Sequence, residues 1–330
     1  MAEEFTALVV EERDGRTVSS IQSLPMERLP QGDVLVRVAY SSLNYKDGLA
    51  LTGKGKIIRS FPMVPGIDFA GTVAESSSAA FRVGDQVVLT GWGVGERHWG
   101  GFAQFARVPG EWLTHLPDGL DPRQAMGIGT AGFTAMLSVI ALEDAGLTPG
   151  GREALVTGAS GGVGSVAVAV LARLGFDVVA STGRVESHEY LRSLGAKQII
   201  GRDEIAPPGG PMASERWAAA IDTVGGETLA NALRAVARGG SVAACGNVGG
   251  AALNTTVLPF ILRGVRLQGI DSVMYPAERR PAVWRRLATE LPADARELML
   301  TEIALRDVPQ AAEAILQGHV RGRTVVNVNA

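Results

Sequence analysis

The sequence predicts an α/β protein in which a doubly wound parallel sheet is inserted into a β-rich domain. The first observation is a β-prone run, a glycine-rich turn and an apolar helical face within residues 154–174. The second is an alternation of strand and helix patterns from 153 to 270, typical of a parallel sheet with helices on both faces. The third is a β-rich segment before this span and a strand pattern at 324–328, which predicts that the chain returns to the first domain.

The glycine-rich turn indicates dinucleotide binding. Gly158, Gly161, Gly162 and Gly164 follow the strand pattern, and apolar residues beyond them recur at steps of three and four. Strand, turn and helix form the context of a G-x-G-x-x-G-like motif, here with Ala159 at its first position. Such glycines let the backbone approach a pyrophosphate at the helix N-terminus. A glycine turn without a ligand is the alternative, and the strand pattern that follows favours the nucleotide.

The end of that second strand predicts a preference for NADPH. Sites that prefer NAD usually carry an acid about 20 residues after the glycines. Here the strand runs into Ser181, Thr182, Gly183 and Arg184. A guanidinium and hydroxyl groups suit a 2′-phosphate. The alternative is that Arg184 is a solvated surface residue and that Glu186 binds the ribose.

Hydrophobic periodicity places the elements of both domains. The β-rich part has strand patterns at 6–10, 34–40, 69–74 and 101–106, and a turn that leads into a strand at 83–88. The doubly wound part has strands at 153–157, 176–181, 197–201, 218–222, 240–245 and 265–270, and helices at 162–174, 186–195 and 226–237. Further helices are predicted at 122–142, interrupted around 127–132, and at 282–291. The predicted division assigns 1–125 and 266–330 to a substrate domain and 126–265 to the nucleotide-binding domain.

Composition excludes several classes of protein. The 330 residues are 46% hydrophobic and 20% charged, an ordinary globular balance. A net charge of −3 argues against nucleic-acid and membrane-surface partners. The single cysteine, Cys245, excludes an internal disulfide and a cysteine-built metal site. The N-terminal residues, beginning at Met1, lack a basic region, and we expect no apolar run long enough to span a bilayer, so a cytoplasmic location is expected.

Several motifs together resemble the medium-chain dehydrogenase/reductase superfamily over essentially the whole chain. They are Gly32-Asp33, Pro65–Gly71, Val83–Asp85, Gly100–Ala103 and the nucleotide fold. The resemblance implies that the substrate domain is GroES-like. Zinc-dependent members carry a cysteine ligand and a Gly-His-Glu segment, whereas Asn44 and Asp68 stand near those positions here. Catalytic zinc needs three protein ligands, and the four histidines (His98, His115, His188, His319) are scattered. We therefore predict no metal.

Within the zinc-free quinone oxidoreductase branch, one group is more similar. Ser41–Asp47, Gly53–Arg59, Gly91–Gly95, His98–Gly101 and Gly269–Met274 resemble the acryloyl-CoA reductases, which are often named quinone oxidoreductases. The resemblance implies NADPH, hydride transfer to a carbon–carbon double bond, and a homodimer joined through strands of the nucleotide domain. The cofactor contacts it implies are Tyr45, Ser160, Gly161, Gly162, Val163, Thr182, Gly183, Arg184, Arg202 and Ser272. Asn247 lies in a cofactor-side loop where the sequence departs from the family.

The catalytic candidates lie on loops after strands, where sites are common. We place Tyr45 at the nicotinamide, where its phenol could donate a proton or orient the ring; the alternative is a packed loop tyrosine. Asn44 and Asp68 stand where relatives place metal ligands, so we expect both to line the same cleft. The alternative for each is a turn-forming side chain.

Substrate contacts are predicted from charge and aromatic character. Lys54, Lys56 and Arg59 could bind the phosphates of coenzyme A, or could form a solvated loop. Trp92 could wall an adenine or acyl channel, or pin its loop to the core. Arg323 precedes the last strand and is expected to face the cleft.

The leading hypothesis is NADPH-dependent reduction of the carbon–carbon double bond of a short 2-enoyl-CoA, from acryloyl-CoA to propanoyl-CoA. One alternative is a reductase of quinones or other enones. Another is a non-catalytic NADPH-binding protein, because a fold does not establish a function. Tyr45 beside Asn44 favours catalysis, since a pure binder would not need them. The apolar run Val265–Ile270 is a candidate edge strand, which predicts a C₂ homodimer.

Overall fold

The computed structural model describes residues 4–330 and forms two compact units. The first unit contains the chain up to Thr130, Ser272–Ala288 and Arg296–Ala330. The second unit contains Ala131–Asp271 and Thr289–Ala295. The prediction about the extreme N-terminus, Met1 to Glu3, lies outside the described residues.

The strands and helices are numbered in chain order. The strands are β1 (Glu4–Arg13), β2 (Arg16–Pro25), β3 (Val34–Leu43), β4 (Asp68–Ser76), β5 (Gln86–Thr90), β6 (Phe105–Val108), β7 (Thr114–His115), β8 (Ala154–Thr157), β9 (Val178–Ser181), β10 (Gln198–Ile200), β11 (Trp217–Asp222), β12 (Val236–Ala244), β13 (Arg266–Gly269), β14 (Leu300–Ala304) and β15 (Arg323–Asn327). The helices are α1 (Tyr45–Thr52), α2 (Pro122–Asp144), α3 (Gly162–Arg173), α4 (His188–Ser193), α5 (Gly226–Ala235), α6 (Leu258–Arg263), α7 (Arg280–Glu290), α8 (Ala293–Met299) and α9 (Val308–Leu316).

The first unit is β-rich, as the sequence predicts, and most of its strands pair antiparallel. β1 and β2 form a hairpin whose turn residues, Asp14 and Gly15, have φ values of 50° and 72°. Two consecutive positive φ values suit a two-residue hairpin turn. The larger sheet has the order β14-β15-β3-β4-β5-β7, and β6 also pairs with β3. β15 returns from the end of the chain to pair antiparallel with β3, which confirms the predicted return.

β3 is the strand that positions the polar residues of this unit. It pairs with β4 along one edge and with β6 and β15 along the other. Val34, Leu35, Val36 and Val38 of this strand are all buried. Its last residues, 41–43, pair with β15, and Ser41 also pairs with β4, which fixes the end of the strand before Asn44.

α2 is interrupted where the sequence predicts it. Gly129 has φ 52° and ψ −160°, which no helix interior contains. By length and composition α2 is apolar enough to cross a membrane, so the expectation that no such run exists is wrong on that criterion. Its most apolar window is 78% buried inside the protein, and packing in a core accounts for an apolar helix equally well.

The second unit contains a six-stranded parallel sheet with the order β10-β9-β8-β11-β12-β13. Numbered within the unit, this is the 3-2-1-4-5-6 order of doubly wound dinucleotide-binding folds. Each predicted strand has a counterpart, with boundaries displaced by up to a few residues. Of the predicted helices, 186–195 is the one most changed, because a 3₁₀ turn at Val185–Ser187 precedes a shorter α4. β13, which the predicted boundary at 265 assigns to the substrate domain, pairs with β12 in this sheet.

Candidate active site

The turn after β8 requires glycine at two positions. A Cβ on Gly158, whose φ is 58°, would lie 2.3 Å from Thr223 Oγ1. A Cβ on Gly164 would lie 2.4 Å from the carbonyl oxygen of Gly158. The close approach of these segments places the first turn of α3 directly after the strand. The N–H groups of a helix's first turn lack intrahelical partners and can face an anion.

The predicted 2′-phosphate residues gather at the end of β9. Thr182 Oγ1 lies 3.1 Å from Ser160 Oγ and accepts a hydrogen bond from the Arg184 N–H at 3.2 Å. A Cβ on Gly183 would lie 3.3 Å from Arg202 Nε, so the Arg202 side chain lies against this glycine. The structure thus brings two hydroxyl groups and the side chain of Arg202 to one strand end, a donor set suited to a phosphate.

Asp222, which the sequence analysis missed, joins the end of β11 to the end of β8. Its carboxylate accepts hydrogen bonds from Thr157 Oγ1 at 2.7 Å and from the Gly225 N–H at 2.7 Å. Burial raises the pKa of this carboxyl above its ordinary value. Gly225 packs on Asn247, which lies in the loop after β12. Asn247 therefore stands at the same carboxyl edge as the glycine turn, where doubly wound sheets bind ligands.

Cys245 lies beside Asp222. Its Sγ contacts the Asp222 carbonyl oxygen at 3.5 Å, and burial, followed by the charge of Asp222, raises its pKa to about 12. The thiol form dominates at neutral pH, so this side chain is a poor nucleophile.

In the first unit, Asp68 is the centre of a buried polar cluster. This first residue of β4 has no exposed surface. Its Oδ1 accepts hydrogen bonds from the Ser42 N–H at 3.1 Å and from Ser42 Oγ at 2.7 Å. Its Oδ2 accepts them from Asn44 Nδ2 at 3.1 Å and from the Thr130 N–H at 2.8 Å. Four donors satisfy a buried carboxylate, as a buried charge requires.

Arg323 supplies a guanidinium to the same cluster and is only 3% exposed. Its Nη2 donates to Ser42 Oγ at 2.7 Å, its Nη1 to Asn44 Oδ1 at 3.2 Å, and its Nε to the Gly127 carbonyl at 3.0 Å. The predicted residues Asn44, Asp68 and Arg323 therefore belong to one network. The sequence analysis expected Asn44 and Asp68 to line one cleft and Arg323 to face it, but named no contacts among them. That Arg323 faces a cleft stays a prediction.

Asp47 holds Asn44 and the start of β4 in place, and the sequence analysis missed it. Its carboxylate accepts hydrogen bonds from the N–H groups of Asn44 at 2.9 Å, Gly66 at 3.2 Å and Ile67 at 3.0 Å. Complete burial, followed by the nearby charge of Asp68, raises the pKa of Asp47 to about 7. The available signal was Asn44-x-x-Asp47, a capping-box pattern that starts α1 at Tyr45.

This donor set does not suit zinc. Asp68 is already bound by four hydrogen-bond donors, and its neighbours are an amide, a hydroxyl group and a cation. Zinc sites use thiolate, imidazole and carboxylate ligands. No group of three His, Cys, Asp or Glu side chains that could hold a metal occurs anywhere in residues 4–330. His98 and His115 instead lie against backbone carbonyls, of Arg107 at 2.7 Å and Ala80 at 3.2 Å.

The remaining predicted residues of this unit lie on α1 and nearby loops. Tyr45 is half-buried at the start of α1. Lys54, Lys56 and Arg59 are exposed, and within the described part of the chain none of them forms an ion pair. Trp92 is half-buried, and its ring stacks on Trp112 with centroids 6.3 Å apart and planes at 5°. This packing agrees with the alternative in which the tryptophan pins its loop.

Comparison with known proteins identifies both parts of the chain. The family model described as "Alcohol dehydrogenase GroES-like domain" matches residues 30–118, and "Zinc-binding dehydrogenase" matches residues 162–289. The chain is 59% identical over 323 residues to a probable acrylyl-CoA reductase, AcuI, of Escherichia coli strain K12, covering 98% of this chain and 99% of the relative. It is 55% identical over 329 residues to the acrylyl-CoA reductase AcuI of Ruegeria pomeroyi, covering 99% and 100%.

Solved structures give the same result. The yhdH oxidoreductase of Salmonella enterica in complex with NADP superposes with a TM-score of 0.96 at 58% identity, covering 98% of this chain and 99% of that one. The Bacillus subtilis protein yhfP with NAD bound superposes with a TM-score of 0.95 at 44% identity, covering 99% and 100%. The predicted fold and superfamily are confirmed. The chain belongs to the acrylyl-CoA (acryloyl-CoA) reductase family of oxidoreductases, in the zinc-free quinone oxidoreductase branch of the medium-chain dehydrogenase/reductase superfamily.

Proposed function

We propose that this protein reduces the carbon–carbon double bond of a short 2-enoyl-CoA with NADPH, converting acryloyl-CoA to propanoyl-CoA. The observation that carries the proposal is identity of 55–59% to acrylyl-CoA reductases over 98–99% of this chain. Relatives named quinone oxidoreductases also match, which favours reduction of quinones or other enones as a second candidate.

The choice of NADPH is supported by the end of β9. Thr182, Arg184 and Arg202 supply hydroxyl and guanidinium groups where NAD-preferring sites usually carry an acid. One related structure holds NADP and another holds NAD, so a nicotinamide dinucleotide is common to both. Contact between these side chains and the 2′-phosphate of NADPH is a further part of this proposal. The proposed cofactor contacts are Tyr45, Ser160, Gly161, Gly162, Val163, Thr182, Gly183, Arg184, Arg202, Asn247 and Ser272.

The reaction needs a stabilised carbonyl oxygen. When bound, the reduced nicotinamide supplies a hydride to the β-carbon of the conjugated double bond, and a proton goes to the α-carbon. The thioester carbonyl gains negative charge meanwhile, and hydrogen-bond donors or a cation must stabilise it. We assign Arg323 to the substrate, as the cation of the Asp68 cluster, and Tyr45 to proton donation or ring orientation.

Backbone N–H groups of the glycine-rich segments are further candidates for the carbonyl oxygen. In the 91–95 loop, the N–H groups of Trp92, Val94 and Gly95 already donate to carbonyls of Val273, Gly91 and His98. The Thr130 N–H donates to Asp68. These four groups are therefore poor choices for a direct hydrogen bond. Arg323 also donates its N–H groups, to Gly127, Asn44, Ser42 and Met126, so in this proposal it stabilises the oxygen through its charge.

Asn44, Asp68 and Asp47 act by position in this proposal. Asn44 is bound to Asp68 through Nδ2 and to Arg323 through Oδ1, so it orients the guanidinium. Asp68 balances the charge of Arg323 within one network. Asp47 fixes the backbone of Asn44 and therefore the start of α1 at Tyr45.

The basic loop is proposed to hold the substrate's phosphates. Lys54, Lys56 and Arg59 are exposed on one short segment after α1. A phosphate can bind such side chains without displacing a protein partner. Trp92 is also proposed to contact the substrate. Because its ring packs on Trp112, it would form a fixed wall of the site.

An exposed edge of the parallel sheet supports self-association. β13 is the last strand of its sheet and its residues are exposed, and Ile261 and Leu262 of α6 are 68% and 53% exposed. An exposed apolar edge invites pairing with a second copy. We propose a homodimer in the cytoplasm that has no nucleic-acid or membrane partner, and light scattering at micromolar concentration would test the dimer.

The function is tested by measuring NADPH oxidation through its absorbance. The substrates compared are acryloyl-CoA, crotonoyl-CoA, a quinone and an aldehyde. Acryloyl-CoA should exceed the quinone in kcat/KM by at least about tenfold, or about 1.4 kcal/mol of transition-state binding. A quinone that wins would establish the second candidate. Binding of NADPH with no turnover of any substrate would leave a non-catalytic binding protein.

A further inference from the structure

Arg280 is a buried arginine that none of the proposed steps uses. It is the first residue of α7, and only 1% of it is exposed. Its Nε donates to the Tyr275 carbonyl at 3.0 Å. Its Nη2 donates to the carbonyls of Ser272 at 3.2 Å and Val273 at 3.0 Å. One guanidinium therefore binds three carbonyls of the segment that precedes its own helix.

The same guanidinium also binds the end of β5. Its Nη1 donates to the Thr90 carbonyl at 2.6 Å and to Thr90 Oγ1 at 3.2 Å. These contacts make five hydrogen bonds, the number of N–H groups that arginine carries. Arg280 thus joins two segments that are far apart in sequence, the end of β5 and residues 272–275.

The residues after Thr90 lie directly on the second segment. Trp92 donates its N–H to the Val273 carbonyl at 3.1 Å, and the Arg280 guanidinium lies 4.7 Å from the centroid of the Trp92 ring. A Cβ on Gly91 would lie 2.6 Å from the Val273 carbonyl oxygen. Trp92 has φ 58°, which is unusual for a residue other than glycine. Such a backbone persists only where its surroundings fix it.

We infer that Arg280 is a positioning residue that holds Ser272 and Trp92 at one fixed separation, so that the cofactor contact and the substrate contact are set together. The inference rests on the proposed function, because the roles of Ser272 and Trp92 belong to it. A lysine could not replace this arginine. The lysine ammonium has three donors on a flexible stem. It lacks the planar guanidinium fork that reaches both segments at once.

The test compares Arg280→Lys with a matched control, Arg263→Lys. Arg263 makes the same kind of contact in the second unit, where Nη1 donates to the carbonyls of Arg234 and Val236. The dissociation constant for NADPH is measured by fluorescence titration without any enoyl substrate, and Tm is measured on the same samples. We expect Arg280→Lys to weaken NADPH by about tenfold, or about 1.4 kcal/mol, and Arg263→Lys to leave binding within about twofold at a comparable loss of Tm.

Equal NADPH binding in both variants would overturn the inference and leave Arg280 with a role in stability alone. If Arg280→Lys does not fold, Thr90→Val provides the test. This change removes the Oγ1 acceptor of Arg280 Nη1 and keeps the shape of the side chain. It should weaken NADPH by about two- to threefold, and binding equal to wild type would overturn the inference. Since these readouts need no turnover, failure to reduce an enoyl-CoA would count against the proposed function and not against the role of Arg280.

Discussion

The nucleotide-binding sheet of the second unit and the Asp68 cluster of the first unit assemble their polar groups in different ways. In the sheet, each polar residue lies at the end of its own strand or just after it, and parallel strands place their carboxyl ends at one edge. In the cluster, Asn44 and Arg323 are 279 positions apart in sequence and meet only because β15 pairs with β3. The first arrangement follows from local pattern, whereas the second depends on the tertiary fold.

The largest expected effect is on the cluster. Asp68→Ala removes the acceptor of four hydrogen bonds, three of them buried, and takes the negative charge out of the network that holds Arg323. Unpaired buried groups cost about 1–3 kcal/mol each, so the free energy of unfolding should fall by at least about 3 kcal/mol. Denaturant unfolding measures this. Asp177→Ala is the control, because Asp177 forms an exposed ion pair with Lys197 that should contribute less than about 1 kcal/mol. A similar loss in both variants would contradict the importance of the cluster.

Cofactor preference tests the other region. Arg184→Ala should weaken NADPH by roughly ten- to a hundredfold and leave NADH nearly unchanged, since a hydrogen bond to a charged group contributes about 1.5–3 kcal/mol. Titration of both cofactors measures the difference, with the exposed Arg192 on α4 replaced by Ala as the control. Equal weakening of NADPH and NADH would show that Arg184 does not read the 2′-phosphate.

The pKa of Asp47 gives a pH test of the cluster. Its folded-state pKa of about 7 exceeds its ordinary value of 3.8, so the folded protein binds more protons between those values. The contribution of Asp47 to the free energy of unfolding is therefore present at low pH and is lost as pH rises toward and through 7. The free energy of unfolding should fall by up to about 2 kcal/mol between pH 5 and pH 7 on this account. Asp47→Asn should flatten this slope in thermal unfolding. The control variant Asp118→Asn, at an exposed position, should keep the pH dependence of wild type. An unchanged slope in Asp47→Asn would contradict the raised pKa of Asp47.

The smallest effect is expected at the basic loop. Neutralising Lys54, Lys56 and Arg59 together should raise KM for acryloyl-CoA by about fivefold, roughly 1 kcal/mol, and leave KM for a small enone without phosphates unchanged. A control triple at the exposed residues Arg13, Arg16 and Arg28 should change neither value. If the basic-loop variant raises both KM values alike, the loop is structural and coenzyme A binds elsewhere.

The two regions also differ in what the sequence could reveal. The glycines at 158–164 and the hydroxyl and guanidinium groups after β9 were predicted, because strand, turn and helix form a contiguous pattern with a known geometry. Asn44 and Asp68 were expected to line one cleft that Arg323 faces, but the hydrogen bonds that join the three residues were not predicted. Asp47 and Asp222 were missed, because a buried carboxylate that binds backbone N–H groups looks like any turn-forming acid in the sequence.

We propose that hydrogen bonds among Asn44, Asp68 and Arg323 stand where the family resemblance predicts a metal in zinc-dependent members. The most direct measurement is zinc content and enoyl-CoA reductase activity in the same sample, before and after dialysis against a strong chelator. We predict zinc far below one equivalent per chain and activity unchanged by the chelator. Stoichiometric zinc that is lost together with activity, and restored with it, would contradict the claim.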